Sequence, residues 1–198
     1  MMAAMVEQAL LAAVSAARGH FRYESGHHGD LWLDLDRLFV EARSMQAWVS
    51  ALAAQSAALA PQVVCGALSG GAFVAQLMAI QLGVQFAFTE RLVLLIGAVQ
   101  YALPKGLAAA VQGKRVLVVD DAINAGSALL GTLTDLQQYA VQVVGIASLF
   151  VMGEAAERIA QAHGVPLISV VRLTRNLWLP EACPLCQANI ALSTPTSS

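Results

Sequence analysis

The chain is predicted to fold as α/β, a parallel sheet flanked by helices. Three observations carry that prediction. Apolar runs of strand length alternate with Ala- and Leu-rich stretches of helical period, the pattern of βαβ units. The run Val116-Leu117-Val118-Val119 is wholly apolar and ends in two carboxylates. Two strand candidates pass directly into small-residue turns that open helices, at 66–71 and 122–127.

The elements follow in order. Residues 3–17 form an amphipathic, Ala-rich helix. Residues 20–40 are mixed, with a Ser25-Gly26 turn and an alternating, strand-like Leu31-Trp32-Leu33-Asp34-Leu35. A helix at 43–60 is stopped by Pro61, which cannot continue it. A short buried strand covers 62–65, a Gly-containing loop 66–71, a helix 72–82 ending at Gly83, and a strand 84–88. In 91–113, Gly97 and Pro104-Lys105-Gly106 mark the turns of a hairpin or lid. Strand 115–120, helix 127–139, strand 141–151, helix 154–163 and strand 166–172 complete the pattern. Residues 1–175 are expected to be one domain. The tail, 176–198, with its Cys-x-x-Cys and polar Ser/Thr end, is expected to be partly disordered.

Composition narrows the classes. A hydrophobic content of 58% with 12% charged residues and a mean hydropathy of +0.64 call for a large core or for apolar surface buried in an oligomer. The most apolar stretch, Leu92 to Leu103, contains Gln100 and meets Pro104, short of the ~20 residues of a spanning helix. The amino terminus carries Glu7 and lacks a basic leader, so it reads as a helix and not a signal peptide. No membrane partner is expected. Net charge is −2 with 11 Lys+Arg, which supplies no basic face for nucleic acid. Three cysteines make no secreted disulfide framework, and a cytoplasmic location is the default.

The chemistry concentrates at 115–127, Arg-Val-Leu-Val-Val-Asp-Asp-Ala-Ile-Asn-Ala-Gly-Ser. A parallel strand delivers its last residues to the ligand face of the sheet. A small-residue turn entering a helix leaves N–H groups free to hold an anion. Carboxylates beside such a cradle repel phosphate, so they need another task; two sugar hydroxyls can each donate to a carboxylate oxygen. Asp120, Asp121 and the following turn therefore fit a ribose 5-phosphate.

This segment resembles the signature of type I phosphoribosyltransferases that binds 5-phosphoribosyl 1-pyrophosphate (PRPP). The loop Cys65-Gly66-Ala67-Leu68-Ser69-Gly70-Gly71 is similar to that family's pyrophosphate loop and comes in family order. Gly19-His20-Phe21-Arg22-Tyr23-Glu24-Ser25-Gly26-His27-His28 resembles the amino-terminal motif of orotate phosphoribosyltransferases. The resemblance implies a Rossmann-like core with a small N-terminal hood at about residues 18–40, a homodimer, and transfer of 5-phosphoribose between PRPP and a nucleobase with release of pyrophosphate. Orotate is the favoured base. Asp120 and Asp121 would hold the 2- and 3-hydroxyls and stabilise positive charge on the ring. Ala122, Ile123, Asn124, Ala125, Gly126 and Ser127 would hold the 5-phosphate. Ala67, Leu68, Ser69, Gly70 and Gly71, with Arg91 and Lys105 as catalytic cations, would hold pyrophosphate. Phe21, Tyr23, Ser25 and Gly26 would meet the base. Mg²⁺ would arrive mainly with PRPP and neutralise the leaving group.

Two departures bear on the reading. Some orotate enzymes carry a Lys where Glu24 stands. The mobile loop of the family is polar, whereas 92–99 is apolar with Arg91 and Lys105 as the cations of its region. Either these two cations serve catalysis from that stretch or the domain binds PRPP or a nucleotide without turnover, and an apolar lid also fits a dimer contact. Cys183-Pro184-Leu185-Cys186 is half of a zinc pattern, but no further ligands follow it, and Cys65, His20 and His163 are distant in sequence. A free or redox-capable thiol pair is preferred, and no metal site is expected. His27 and His28, adjacent on a strand, point to opposite faces and are poor partners for one ion.

Overall fold

The strand Arg115–Ile123 lies at the centre of the molecule, and its side chains say why. Val116 and Val118 join one apolar cluster, Leu117 and Val119 another. A strand with two apolar faces is stable only between two layers of helices. The computed structural model describes residues 2–14, 16–23, 26–40, 42–95, 97–174 and 176–194. In chain order the elements are α1 (Met2–Ala13), β1 (Ala17–Arg22), β2 (His28–Trp32), α2 (Ala42–Ser56), β3 (Val63–Ala67), α3 (Gly70–Leu82), β4 (Gln85–Val93), β5 (Val99–Ala102), α4 (Ala108–Val111), β6 (Arg115–Ile123), α5 (Ser127–Leu136), β7 (Gln142–Met152), α6 (Ala155–Ala162), β8 (Leu167–Leu173), β9 (Leu177–Trp178) and α7 (Pro184–Gln187).

Six strands form the main sheet in the order β5-β4-β3-β6-β7-β8. β4, β3, β6, β7 and β8 are mutually parallel, and β5 closes one edge antiparallel to β4. The predicted α/β fold class is therefore found. Leu10, Met45, Trp48, Leu52, Val74 and Met78 cover one face of the sheet from α1, α2 and α3. Val111, Leu129, Leu133, Leu136 and Ile159 cover the other from α4, α5 and α6. Each such side chain contributes about 1.5–3 kcal/mol by leaving water. Arg115 fixes the far end of β6: Nη2 donates to the Leu59 carbonyl at 2.6 Å and Nε to that of Ala60 at 3.0 Å.

Connectivity decides where a ligand can sit. β3 leads through α3 to β4 on one side; β6 leads through α5 to β7 on the other. Right-handed crossovers in opposite directions put α3 and α5 on opposite faces, as the two clusters show. Strand order reverses between β3 and β6, so a crevice opens at their carboxyl ends.

The predicted hairpin in 91–113 is present. β4 runs on to Val93, pairs Arg91 with Tyr101 and Val93 with Val99, and turns near Gly97 at φ +78°. Leu92, Val93, Leu94, Leu95 and Val99 are exposed along it. No helix among the described residues is long and apolar enough to cross a membrane.

The tail departs from expectation. Residues 176–194 are not loose but packed on the hood, where β9 adds to β2 and completes a three-stranded sheet, β1-β2-β9. Asp30 accepts from the Asn176 backbone N–H and side-chain amide, both at 2.9 Å. The Ser193 N–H donates to the His20 carbonyl at 2.6 Å. These contacts join residues 146 and 173 positions apart, so nothing local in the tail announced them.

Candidate active site

β6 brings Asp120 and Asp121 to the β3/β6 crevice, where they face the amino end of α3. A Cβ on Gly70 would overlap the Asp121 carboxylate, and one on Gly71 would lie 2.7 Å from Asp120 Oδ1. Glycine is required there because the two loops that sequence reading paired touch each other. The Asp121 backbone N–H donates to Asp120 Oδ1 at 3.1 Å. Burial, then the adjacent Asp121 charge, push the Asp120 carboxyl well above its usual range. Burial also raises Asp121. Hydroxyl donors supplied by a ligand would favour the ionised pair.

The turn after β6 reaches Gly126, which adopts φ +81° immediately before α5. Left-handed backbone is strained for residues with a Cβ, and a Cβ here would also overlap Ile159 Cδ1. Glycine thus sets the angle at which α5 leaves the cleft. Its first N–H groups have no intrahelical acceptor and suit an anion. Asn124 Oδ1 is buried without a hydrogen-bond partner among the described residues.

A cleft of about 390 Å³ is lined by Asp120, Ala122, Asn124, Ala125, Gly126, Ser127 and Ala128 on the core side, and by Tyr23, Trp32 and Tyr101 opposite. Tyr23 stacks on Trp32 with the rings 9° from parallel and 6.2 Å apart, and its hydroxyl donates to the Leu31 carbonyl. Tyr101 is seated on α5, where a Cβ at Gly131 would strike its ring. The Leu103 N–H donates to the buried Asp135 of α5 at 2.8 Å, which holds the end of the hairpin against the helix.

The predicted residues separate accordingly. Asp120, Tyr23 and most of the 122–127 turn share one cleft. Asp121, Gly70 and Gly71 meet beside it. Ala67 is buried at the end of β3, and Leu68, half out in solvent, donates its N–H to the Thr89 carbonyl; Ser69 precedes α3 as its N-cap. Phe21 does not flank the cleft. It is buried and packs its ring 5.9 Å from Trp32, so its part is to support the aromatic wall. Gly26 closes the β1–β2 turn at φ +80°, where its N–H donates to the Tyr23 carbonyl. Ser25 lies outside the described residues. Arg91 is exposed and pairs with Tyr101 across the hairpin; directly opposed residues share a face, so Arg91 lies on the cleft-facing side. Lys105 is exposed on the turn after Pro104 and does not line this cleft. Trp32 and Tyr101 escaped sequence reading because an isolated aromatic on a strand reads as core.

The expectation that the two tail thiols stand apart from the histidines is corrected. His20 Nε2 lies 3.5 Å from Cys183 Sγ and 3.7 Å from Cys186 Sγ, and His28 Nδ1 lies 3.2 Å from Cys186 Sγ. The tail folds over the hood and brings them together.

The phosphoribosyl transferase domain model matches residues 39–168. The orotate phosphoribosyltransferase of Wolinella succinogenes is 28% identical over 193 residues, covering 92% of this chain and 91% of its own. That of Caldanaerobacter subterraneus subsp. tengcongensis is 28% identical over 180 residues, covering 91% and 90%. The crystal structure of orotate phosphoribosyltransferase from Aeropyrum pernix superposes with a TM-score of 0.67 at 24% identity, over 87% of this chain and 94% of that one.

Proposed function

This chain belongs to the phosphoribosyl transferase domain family, and from that premise we propose that it transfers 5-phosphoribose from PRPP to orotate and releases pyrophosphate. The observation that carries the reading is the shared cleft: a strand-tip carboxylate, an anion-binding turn and an aromatic wall meet in one crevice. Relatives named for the orotate reaction cover about nine-tenths of the chain, which supports the choice of base.

The 5-phosphate rests on the N–H groups of 124–127 and the Ser127 hydroxyl. The ribose diol donates to Asp120 and Asp121. Pyrophosphate lies over the 67–71 loop, with Arg91 reaching from the hairpin. As the bond from the anomeric carbon to pyrophosphate lengthens, positive charge grows on the ring and the two carboxylates stabilise it. The base nitrogen attacks from the Tyr23–Trp32 side, its flat face against the rings. Mg²⁺ takes hard oxygen ligands, commonly one or two carboxylates with substrate phosphates, and the Asp120–Asp121 oxygens fit that donor set. When bound with PRPP it neutralises the leaving pyrophosphate. The exposed apolar hairpin favours a homodimer, with this surface against a second copy.

The test is pyrophosphate release from PRPP–Mg²⁺ across a panel of bases. Orotate should give turnover that Asp120→Asn with Asp121→Asn abolishes. Stabilisation by PRPP–Mg²⁺ without pyrophosphate release from any base would leave a binding domain in place of an enzyme.

A further inference from the structure

We propose that His20, His28, Cys183 and Cys186 bind one Zn²⁺ ion in a tetrahedral Cys₂His₂ site that clamps the C-terminal segment to the hood. Their ligand atoms all lie within 4.8 Å of one another. Zinc with bonds of about 2.3 Å to sulfur and about 2.05 Å to nitrogen sets tetrahedron edges of about 3.6 Å for N···S and about 3.3 Å for N···N. The N···S separations are 3.5 Å for His20–Cys183, 3.7 Å for His20–Cys186 and 3.2 Å for His28–Cys186, and His20 Nε2 to His28 Nδ1 is 2.9 Å. Four of the six edges thus stand within about 0.4 Å of an occupied shell, and the other two lie within 4.8 Å.

The surroundings point the same way. His20 Nδ1 lies 2.7 Å from the Ile190 carbonyl oxygen. A carbonyl only accepts, so Nδ1 carries the proton and Nε2 turns its lone pair on the site, the usual outer partner of a metal-bound imidazole. His20, His28 and Cys183 are buried, while Cys186 stands at the solvent edge and leaves an entry path. Cys183 caps α7 and Pro184 opens it, so the two thiols are presented from one short turn. The histidines come from neighbouring antiparallel strands, with His28 opposite Arg22 and an irregularity in register between Arg18 and Phe21.

The segment also has a need for such a clamp. Its regular structure is a two-residue strand, a 3₁₀ turn and one α-helical turn, and Leu177, Leu179, Ile190 and Leu192 are exposed. Small units with little apolar burial are commonly held by a structural metal. Four protein ligands leave no open position for a reacting water, so the ion is structural. On binding, the two thiols release their protons to solvent as two Zn–S bonds form, His20 binds through its Nε2 lone pair, and His28 binds through Nδ1 with its ring proton moved through solvent to Nε2.

The experiment uses the full chain, purified without a polyhistidine tag under reducing conditions. Elemental analysis should find about one zinc per chain. Replacement by Co²⁺ should give the ligand-field and thiolate charge-transfer absorption of a tetrahedral site. Cys186→Ser should drop the zinc content to roughly one tenth or less, while Cys65→Ala, remote in β3, should retain it. Chelation should lower Tm and make the segment after Leu173 sensitive to protease. Zinc-free protein that Co²⁺ leaves colourless overturns the proposal, and so does a Cys183–Cys186 disulfide found by mass under denaturing conditions without reductant. Should Cys186→Ser fail to fold, the zinc content and cobalt spectrum of the unaltered chain decide the matter.

Discussion

Replacing Gly126 by Ala separates backbone strain from side-chain collision at the mouth of the cleft. Gly126 holds φ 81° and ψ 15°, a left-handed conformation that costs a residue with a Cβ about 1–2 kcal/mol. The new methyl also meets Ile159 Cδ1; moving that flexible end off its rotamer costs about 0.5–1.5 kcal/mol. The sum is about 1.5–3.5 kcal/mol, a fall in Tm of roughly 3–14 °C for a chain of this size. Gly113 supplies the control, since it sits at φ +66° with nothing within 4 Å of an added Cβ and should show the strain alone. Ile159→Val removes the colliding methyl, so Gly126→Ala with Ile159→Val should recover the contact part in a double-mutant cycle. Thermal unfolding gives the stabilities, and titration with PRPP–Mg²⁺ gives the functional consequence. Gly126→Ala should weaken binding because the N–H groups that face the phosphate move; Gly113→Ala should not. Equal Tm losses at the two glycines, with unchanged PRPP affinity, would refute the account of the turn.

Three further outcomes test the site. Asp120→Asn with Asp121→Asn should raise Tm at neutral pH although it removes activity: both folded-state pKa values are raised, so their contribution is full below the unfolded value of about 3.9 and is lost as pH rises through the folded values. The gap in Tm over the unaltered chain should therefore open as pH rises above about 4 and close in acid, and a gap that widens in acid would contradict the assigned burial. Trp32→Leu removes a ring worth about 0.5–1.5 kcal/mol of stacking and should raise KM for orotate roughly 2- to 12-fold with KM for PRPP nearly unchanged. Arg91→Ala should lower kcat by tenfold or more while Lys105→Ala changes it by less than about twofold, because Arg91 shares the Tyr101 face and Lys105 lies off the cleft; steady-state kinetics on the two variants settles the order.

How much of this was legible in sequence depended on how local the cause was. β6 announced itself because a strand buried on both faces must be apolar throughout, and its acidic end broke that pattern where the ligand sits. The two turns announced themselves because only small residues allow the approach of Gly70 to Asp121 and the positive φ of Gly126. The hood's aromatic wall was half legible: Tyr23 belongs to a recognisable motif, whereas Trp32 acquires its place from stacking on Tyr23. The thiol–imidazole cluster was illegible. His27 lies just before β2, so strand alternation does not apply to it, and it lines a different cleft; the pair that matters is His20 and His28, joined across a hairpin. Their partners arrive from residues 183 and 186 by way of a two-residue strand, which leaves almost no periodic signal.

The charge order along the crevice explains why this topology suits the reaction. α3 and α5 leave opposite sides of the β3/β6 switch point, and both direct their amino ends into it. Each carries a partial positive charge there, one for each phosphate end of a doubly phosphorylated sugar. Asp120 and Asp121 lie between, so positive, negative and positive potentials alternate along the cleft. A ligand anionic at both ends, whose ring becomes cationic as its bond breaks, has the complementary order. Burial raises both carboxyl pKa values, and the neighbouring Asp121 charge raises that of Asp120 further, so repulsion is part of its cost. The same repulsion is relieved when positive charge develops between them, so the pair is more stable facing the transition state than facing solvent. Stability and catalysis are thereby set against each other in two adjacent residues, which is why the asparagine variant should be firmer and inert.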